Sequence, residues 1–426
     1  MQKKIIMSEN KMLIFCSIGG AFEFYDFSLF AIMSVIISQH FFNEALHSIA
    51  LIKTFGIFAA GYIARFIGGF YFSHLGDTSG RKKPFMMTLF LMSIPTLGIA
   101  LLPTYQQIGI LAPIILLCLR ITQGFALGGE APCAMAFIYE SSNQNRRCFS
   151  ISILFGSILL GSFFASLVYS SLNSLMHKDV FNNWGWRIPF AIGGILGLIG
   201  IYLRKNLNET AEFINYKKSN SLSKIPFLEL LKNDSLKILL GIILLLPSST
   251  AFLYYLLISS NTLKNQYQFN QSFIENITTI GFFLNAISCI IFGKISDNLT
   301  AKKVYLTGVL LLLTLTIFSN FIFALQNNLV LAFFILSISI TLGCCVGSVF
   351  SLLISMFAIQ IRTSALALTM NTTNGIFVGL TPIVFAKSTI ITNSNAFPSF
   401  YIIFLCLIAI ISTLGIKKFK SQLANV

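Results

Sequence analysis

Five ionisable residues lie inside long apolar runs: Glu23, Asp26, Arg65, Arg120 and Glu130. A charge at mid-bilayer costs about 2.5–3.5 kcal/mol on insertion scales, so five cost on the order of 10 kcal/mol or more unless they pair or face water. Such residues mark ion or substrate handling by default. Glu23 and Asp26 stand i, i+3 and share a helix face. Three acids face two arginines. With both arginines paired, one carboxyl is left without a cation, and a desolvated carboxyl of that kind can exchange protons near neutral pH. Asp26 or Glu23 is therefore the expected coupling acid, with Glu130 as a third candidate. Arg120 and Arg65 suit a substrate carboxylate, because guanidinium pairs with it bidentately. The alternative is a set of static salt bridges, which stays open for Arg65–Glu23 and for Glu130.

The elements that hold these residues follow from composition. The chain has 426 residues, 55% hydrophobic and only 10% charged, with 43 Phe. A soluble domain carries about 25% charged residues, so lipid must solvate most of this surface. That excludes an ordinary cytosolic enzyme, a nucleic-acid-binding domain and a disordered tail. The net charge of +15 lies in short loops between apolar runs and not on one basic face. The eight cysteines form no CxxC pair or Cys/His cluster, so no disulfide framework or metal site is expected. They read instead as buried thiols.

A span needs about 20 apolar residues, and the runs lack the alternation of a barrel. The fold class expected is an all-α membrane protein of twelve transmembrane helices in two six-helix bundles. The first six spans cover about 13–38, 50–75, 84–102, 108–139, 149–171 and 187–204. The last six cover about 236–260, 272–293, 304–324, 329–356, 364–391 and 397–416. Residues 1–204 form an N-terminal bundle, 205–235 a cytoplasmic linker and 236–426 a C-terminal bundle. At about 1.5 Å per residue the five charges share a middle layer, tilt permitting.

With both termini cytoplasmic, inner segments hold 22 Lys and Arg and outer segments five, which sets the orientation by the positive-inside rule. Trp184 and Trp186 fall in the outer segment before span six and suit interfacial anchors. An echo links the halves: Asp77 to Lys82-Lys83 after span two, and Asp297 to Lys302-Lys303 after span eight, 220 residues on. Duplicated halves of this kind build many transporters, with substrate near the bilayer midplane at the repeat interface.

Several motifs carry a resemblance. Gly76-Asp77-x-x-Gly80-Arg81-Lys82 and Arg120-Ile121-Thr122-Gln123-Gly124 resemble the hallmark loop and the RxxQG motif of the major facilitator superfamily. Glu23-Phe24-Tyr25-Asp26-Phe27, Gly124-Phe125-Ala126-Leu127-Gly128-Gly129-Glu130 and Trp184-Gly185-Trp186-Arg187-Ile188-Pro189-Phe190 resemble its metabolite:H+ symporter family, which includes proline/betaine, dicarboxylate, citrate and shikimate carriers. The second half departs: Ala301 stands where an arginine is usual, and Ser355 and Ala358 where an acid and a proline are. The resemblance implies proton-coupled symport of a small carboxylate or zwitterion by alternating access. It also implies a loop built on Gly76, Asp77, Gly80 and Arg81 that latches the halves, with Asp297 as a weaker mirror. Glu140 with Arg146 and Arg147 is expected to complete that charge network.

Tyr25, Tyr254, Tyr255 and Asn371 join Arg120 and Arg65 as candidate substrate contacts, although such polar groups equally serve as interhelical hydrogen bonds. Glycine patches such as Gly68-Gly69 and Gly128-Gly129 lie inside spans and read as close helix packing, not phosphate cradles. No Walker motif, nucleophile–base pair or metal cluster argues for an enzyme or a cofactor. The expected partners are a small-molecule substrate, protons and the lipid bilayer, for a monomer in a bacterial inner membrane. The runner-up is a non-transporting sensor descended from a carrier.

Overall fold

The protein is described here as a computed structural model covering residues 9–42, 47–205, 207–219, 226–258, 263–264, 267–392 and 396–423. The described residues contain helices, turns and loops, and no strand. The reason is physical: in hydrocarbon a backbone must satisfy its own hydrogen bonds, and a helix does so within one segment. The long helices are α1 (Glu9–Ile32), α2 (His47–Ser79), α3 (Lys82–Leu101), α4 (Leu111–Ser141), α5 (Arg147–Leu175) and α6 (Arg187–Arg204). After them come α7 (Ser235–Phe252), α8 (Gln271–Leu299), α9 (Ala301–Ala324), α10 (Asn328–Ile354), α11 (Arg362–Asn371), α12 (Gly379–Thr392) and α13 (Phe397–Leu423). Asparagine sets two of the starts: the Asn270 side chain accepts from the Ser272 N–H, and that of Asn327 from Leu329 and Val330.

Among the described residues, ten helices are long and apolar enough to cross a membrane. Of the other two expected spans, 50–75 falls within α2, a continuous 33-residue helix, and 364–391 is broken. There a π-helical segment, Thr372–Val378, separates α11 from α12. A second π segment, Leu253–Ile258, ends span seven. Nothing in residue periodicity marks such i→i+5 turns.

The helices form two compact units that interleave along the sequence. Unit 1 comprises 1–142, 157–230 and 358–368; unit 2 comprises 143–156, 231–357 and 369–426. In unit 1, α2 packs on α4, and α3 on both α4 and α6. Glycine makes these crossings close. A Cβ at Gly68 would collide with the Phe125 carbonyl, one at Gly128 with that of Arg65, and one at Gly124 with that of Gly61. The α3–α6 seam works the same way, with Gly194 against Leu97 and Gly197 against Ser93. In unit 2, α8 packs on α10 through Gly343 and Gly347, which abut the backbone of Asn285 and Cys289.

One expected surface feature moves inside. Trp184 is 58% exposed, as an interfacial anchor should be, but Trp186 is fully buried. Its indole stacks on His40 and meets Phe41 and Phe190 edge-on, within an apolar cluster of unit 1. Two residues apart across the π turn Phe181–Gly185, the two indoles face different surroundings.

Candidate functional site

Helices α1, α3 and α4 bring four polar side chains together inside unit 1. Arg120 Nη1 donates to Asp26 Oδ2 at 3.2 Å, and Gln123 Nε2 donates to the same oxygen at 2.9 Å. Gln123 Nε2 also reaches Thr96 Oγ1 at 2.8 Å, and the Thr96 hydroxyl donates to the Met92 carbonyl. Arg120 and Gln123 stand i, i+3 on α4 and so face α1 and α3 together. The next residue, Gly124, turns to the opposite wall, where it touches α2 at Gly61. The Arg120 guanidinium also lies over the Phe30 ring, 3.6 Å from its centroid.

Asp26, Arg120 and Gln123 line a pocket with Phe27, Gly61, Met92, Gly124 and Leu127. Its free space is about 30 Å³, enough for a couple of waters or one charged group. Four buried polar atoms at this pocket have no hydrogen-bond partner among the described residues: Asp26 Oδ1, Arg120 Nε, Arg120 Nη2 and Gln123 Oε1. Native interiors leave few such atoms, because each costs about 1–3 kcal/mol.

The other expected site residues fall elsewhere. Glu130 is fully buried and does not line the pocket. Its Oε1 pairs with Arg204 Nη2 at 2.7 Å, and its Oε2 accepts from the Thr88 hydroxyl. Arg204 is fully buried, donates to the carbonyls of Phe85 and Cys16, and stacks on the Phe85 ring at 3.5 Å. The expected tally of three acids against two arginines thus omits Arg204, which pairs with one of those acids. Arg204 ends span six in sequence and reads there as a loop charge, yet it turns back into the bundle. Arg65 is buried on α2 and does not line the pocket. The side chain of Glu23 lies outside the described residues. Tyr25 is also no pocket residue: it is buried and its hydroxyl donates to the Pro189 carbonyl at 2.9 Å.

Tyr254, Tyr255 and Asn371 belong to unit 2 and are buried there. The two tyrosines join an aromatic cluster with Phe334 and Phe385. Sequence reasoning passed over Gln123 and Thr96 as site residues; the i, i+3 spacing of Gln123 from Arg120 was the signal available.

The loop residues form a second constellation in unit 1. Asp77 accepts from the backbone N–H groups of Thr363 (3.0 Å) and Ser364 (2.8 Å), the first turn of α11. A carboxylate at a helix N-terminus satisfies orphan donors and complements the dipole. Arg81 is fully buried and pairs with Asp77 at 2.9 Å and Glu140 at 3.0 Å. Burial alone would lower its pKa, but the carboxylates of Glu140 and Asp77 raise it above the ordinary arginine value. Glu140 pairs also with Arg362 at 2.9 Å, a partner not foreseen. Gly80 has φ +112°, and a Cβ there would strike the Glu209 carboxylate. That carboxylate accepts from the N–H groups of Arg81 and Lys82. Gly76 sits where a Cβ would press Thr363 at 3.1 Å.

In unit 2 the echo is geometric as well: Asp297 accepts from the N–H groups of Cys148 (2.8 Å) and Phe149 (3.0 Å), capping α5 as Asp77 caps α11. Arg146 there lies over the Phe149 ring, while Arg147 begins α5 itself.

Comparison with known proteins agrees with this architecture. The Major Facilitator Superfamily profile matches residues 16–382. The proline/betaine transporter of Salmonella typhimurium is 31% identical over 424 residues, covering 96% of this chain and 83% of the relative. That of Escherichia coli K12 is 30% identical over the same coverage. Among solved structures, the proton:xylose symporter XylE bound to 6-bromo-6-deoxy-D-glucose superposes with a TM-score of 0.79 at 18% identity, over 96% of this chain and 95% of its own. A bacterial homologue of the iron transporter ferroportin superposes with a TM-score of 0.70 at 12% identity, over 96% and 99%. A multi-pass helical chain with this profile and these full-length relatives belongs to the Major Facilitator Superfamily, as a small-molecule transporter and not an enzyme.

Proposed function

We propose that this chain is a proton-coupled symporter that takes up a small carboxylate or zwitterion across a bacterial inner membrane, with both termini cytoplasmic, acting as a monomer by alternating access. The observation that carries the reading is the buried Asp26–Arg120 pair with unpaired atoms left on both partners. A carboxylate arriving at Arg120 competes with Asp26 for the guanidinium. Asp26, losing its counter-charge in a dry site, gains a proton. Cargo and proton then load together, and neither is held well without the other. Proline and betaine are the first substrates to test, since the relatives are named for them; dicarboxylates and citrate come next.

Asp77 and Asp297 play a gating part in this reading. Each holds the first turn of a helix, so neutralising either loosens the segment it caps. Glu140, Arg81 and Arg362 make the first cap the firmer of the two.

Reconstituted vesicles with an imposed pH gradient test the proposal. Wild-type protein should accumulate labelled proline against its gradient only when the outside is more acidic. Asp26→Asn should abolish that accumulation while sparing exchange of proline across the membrane. Arg120→Lys should lose both, because a point charge does not replace the planar fork. Undiminished pH-driven accumulation by Asp26→Asn would overturn the assignment.

A further inference from the structure

We infer that unit 1 carries a binding site for a phospholipid with an anionic headgroup, at the end of the α3–α6 seam where Lys82, Lys83 and Lys205 stand. The lipid phosphate takes the three ammonium groups, and its acyl chains lie along the apolar stripes that the two helices turn outward. None of the three lysines lines the Asp26–Arg120 pocket, so the site does not depend on what the carrier transports.

The seam is antiparallel. Gly194, Gly197 and Gly200 of α6 abut Leu97, Ser93 and Leu89 of α3, so one chain climbs as the other descends. An exposed stripe flanks the seam on each helix. On α3 it runs through Lys83, Phe90 and Ile94, spaced i, i+7 and i+11. On α6 it runs through Ile195, Leu198 and Tyr202, and Lys205 follows Tyr202 by three residues. Each stripe is reached by turning the same way along its own chain from the contact face. With opposed chain directions, that brings both stripes to one surface of unit 1. Both are apolar for most of their length, and both end in lysine at the same end of the seam.

At that end the Lys82 ammonium donates to the Lys205 carbonyl at 3.1 Å, which ties the two helix ends together. None of the three lysines has a carboxylate partner among the described residues. Glu209, the acid at this corner, accepts from the N–H groups of Arg81, Lys82 and Thr210. It thereby caps α3, so the ammonium groups and not the helix end are what an anion finds here. Like charges gathered at one corner repel, and a phosphate among them relieves all three. Lysine stems lie along apolar surface while their heads reach the headgroup layer, where anionic lipids supply the negative charge. Tyr202 is 73% exposed and stands one turn before Lys205, the depth at which an amphipathic ring settles.

Other occupants fit less well. A zwitterionic headgroup brings its own ammonium towards the lysines. A soluble phosphate has nothing to place on Phe90, Ile94 or Leu198. Lysines that serve topology alone need neither continue exposed apolar stripes nor converge across a seam.

The test uses the full-length protein, delipidated in detergent and melted with phosphatidylglycerol or phosphatidylcholine of the same acyl chains. Phosphatidylglycerol should raise the melting temperature and be retained in native mass spectra, and phosphatidylcholine should do neither. Each lysine changed to glutamine should raise the phosphatidylglycerol concentration for half the shift about fivefold, and Lys82→Gln/Lys83→Gln/Lys205→Gln about 100-fold. Lys217→Gln/Lys218→Gln removes exposed lysines elsewhere in unit 1 and should leave the shift unchanged. Glycerol 3-phosphate, a headgroup without chains, should not stabilise at the same concentration. An undiminished shift in the triple variant would overturn the inference, as would an equal loss in the Lys217/Lys218 control. Equal stabilisation by phosphatidylcholine or by glycerol 3-phosphate would overturn it too. If the triple variant does not fold, Lys83→Gln and Lys205→Gln decide singly: wild-type retention of phosphatidylglycerol by both contradicts the site. No transport is measured, so the outcome is separate from that of the symport reading.

Discussion

Arg204 shows what a single buried charge can do. It ties α6 to the Cys16 carbonyl on α1, the Phe85 carbonyl on α3 and Glu130 on α4. A Cβ at Gly19 would collide with its guanidinium, so the local sequence of α1 is shaped around it. Breaking a buried pair by removing one partner costs about 3–5 kcal/mol, whereas replacing both with apolar groups is often neutral. Arg204→Met should therefore lower the melting temperature of the detergent-solubilised protein sharply. Glu130→Leu/Arg204→Met should recover most of that loss, and a double variant no more stable than the single one would refute a sealed pair. Charges deep in runs, such as Asp26 and Arg120, were legible in the sequence because apolar neighbours surround them on both sides. Arg204 was not legible, because a charge at the end of a run looks the same whether it faces water or folds back.

At the scale of the element, small residues decide where helices touch. The glycine patches on α2 and α4 could be read as contact faces from the sequence, because glycine inside a span has no other evident use. Which helix meets which depended on the fold. Gly124 sits at the pocket wall with Gly61 across from it. Gly124→Ala should push α2 and α4 apart and raise the KM for substrate several-fold with folding largely kept; the bulkier Gly128→Leu should abolish folded protein, as size-exclusion of membrane extracts would reveal. The π segments Leu253–Ile258 and Thr372–Val378 were not legible, since hydrogen-bond register leaves no periodic trace. The caps are a second element-level device. Asp77→Asn keeps acceptor capacity but removes the charge facing Arg81 and the α11 dipole, and should cost about 1–3 kcal/mol. Asp297→Asn faces no arginine at position 301 and should cost less; comparing the melting shifts of the two variants checks the order.

For the whole molecule, the division is less simple than two consecutive halves. Residues 358–368 belong with unit 1 and supply partners to Asp77, Arg81 and Glu140. A fragment ending at 235 lacks all of them. It should be less protease-resistant than the same fragment co-expressed with residues 236–426, and equal resistance would contradict the assignment. The fold class was legible because hydrophobic thickness alone dictates long helices. The crossing over of short segments between units was not legible, because it depends on backbone donors that every residue carries. The central claim concerns the molecule at work: cargo and proton travel together through the Asp26–Arg120 site. The most direct measurement places a pH-sensitive dye inside proteoliposomes with no gradient imposed and adds proline outside. The account predicts luminal acidification that follows proline entry in the wild type and disappears in Asp26→Asn. Proline entering the wild-type vesicles with no change in luminal pH would contradict it.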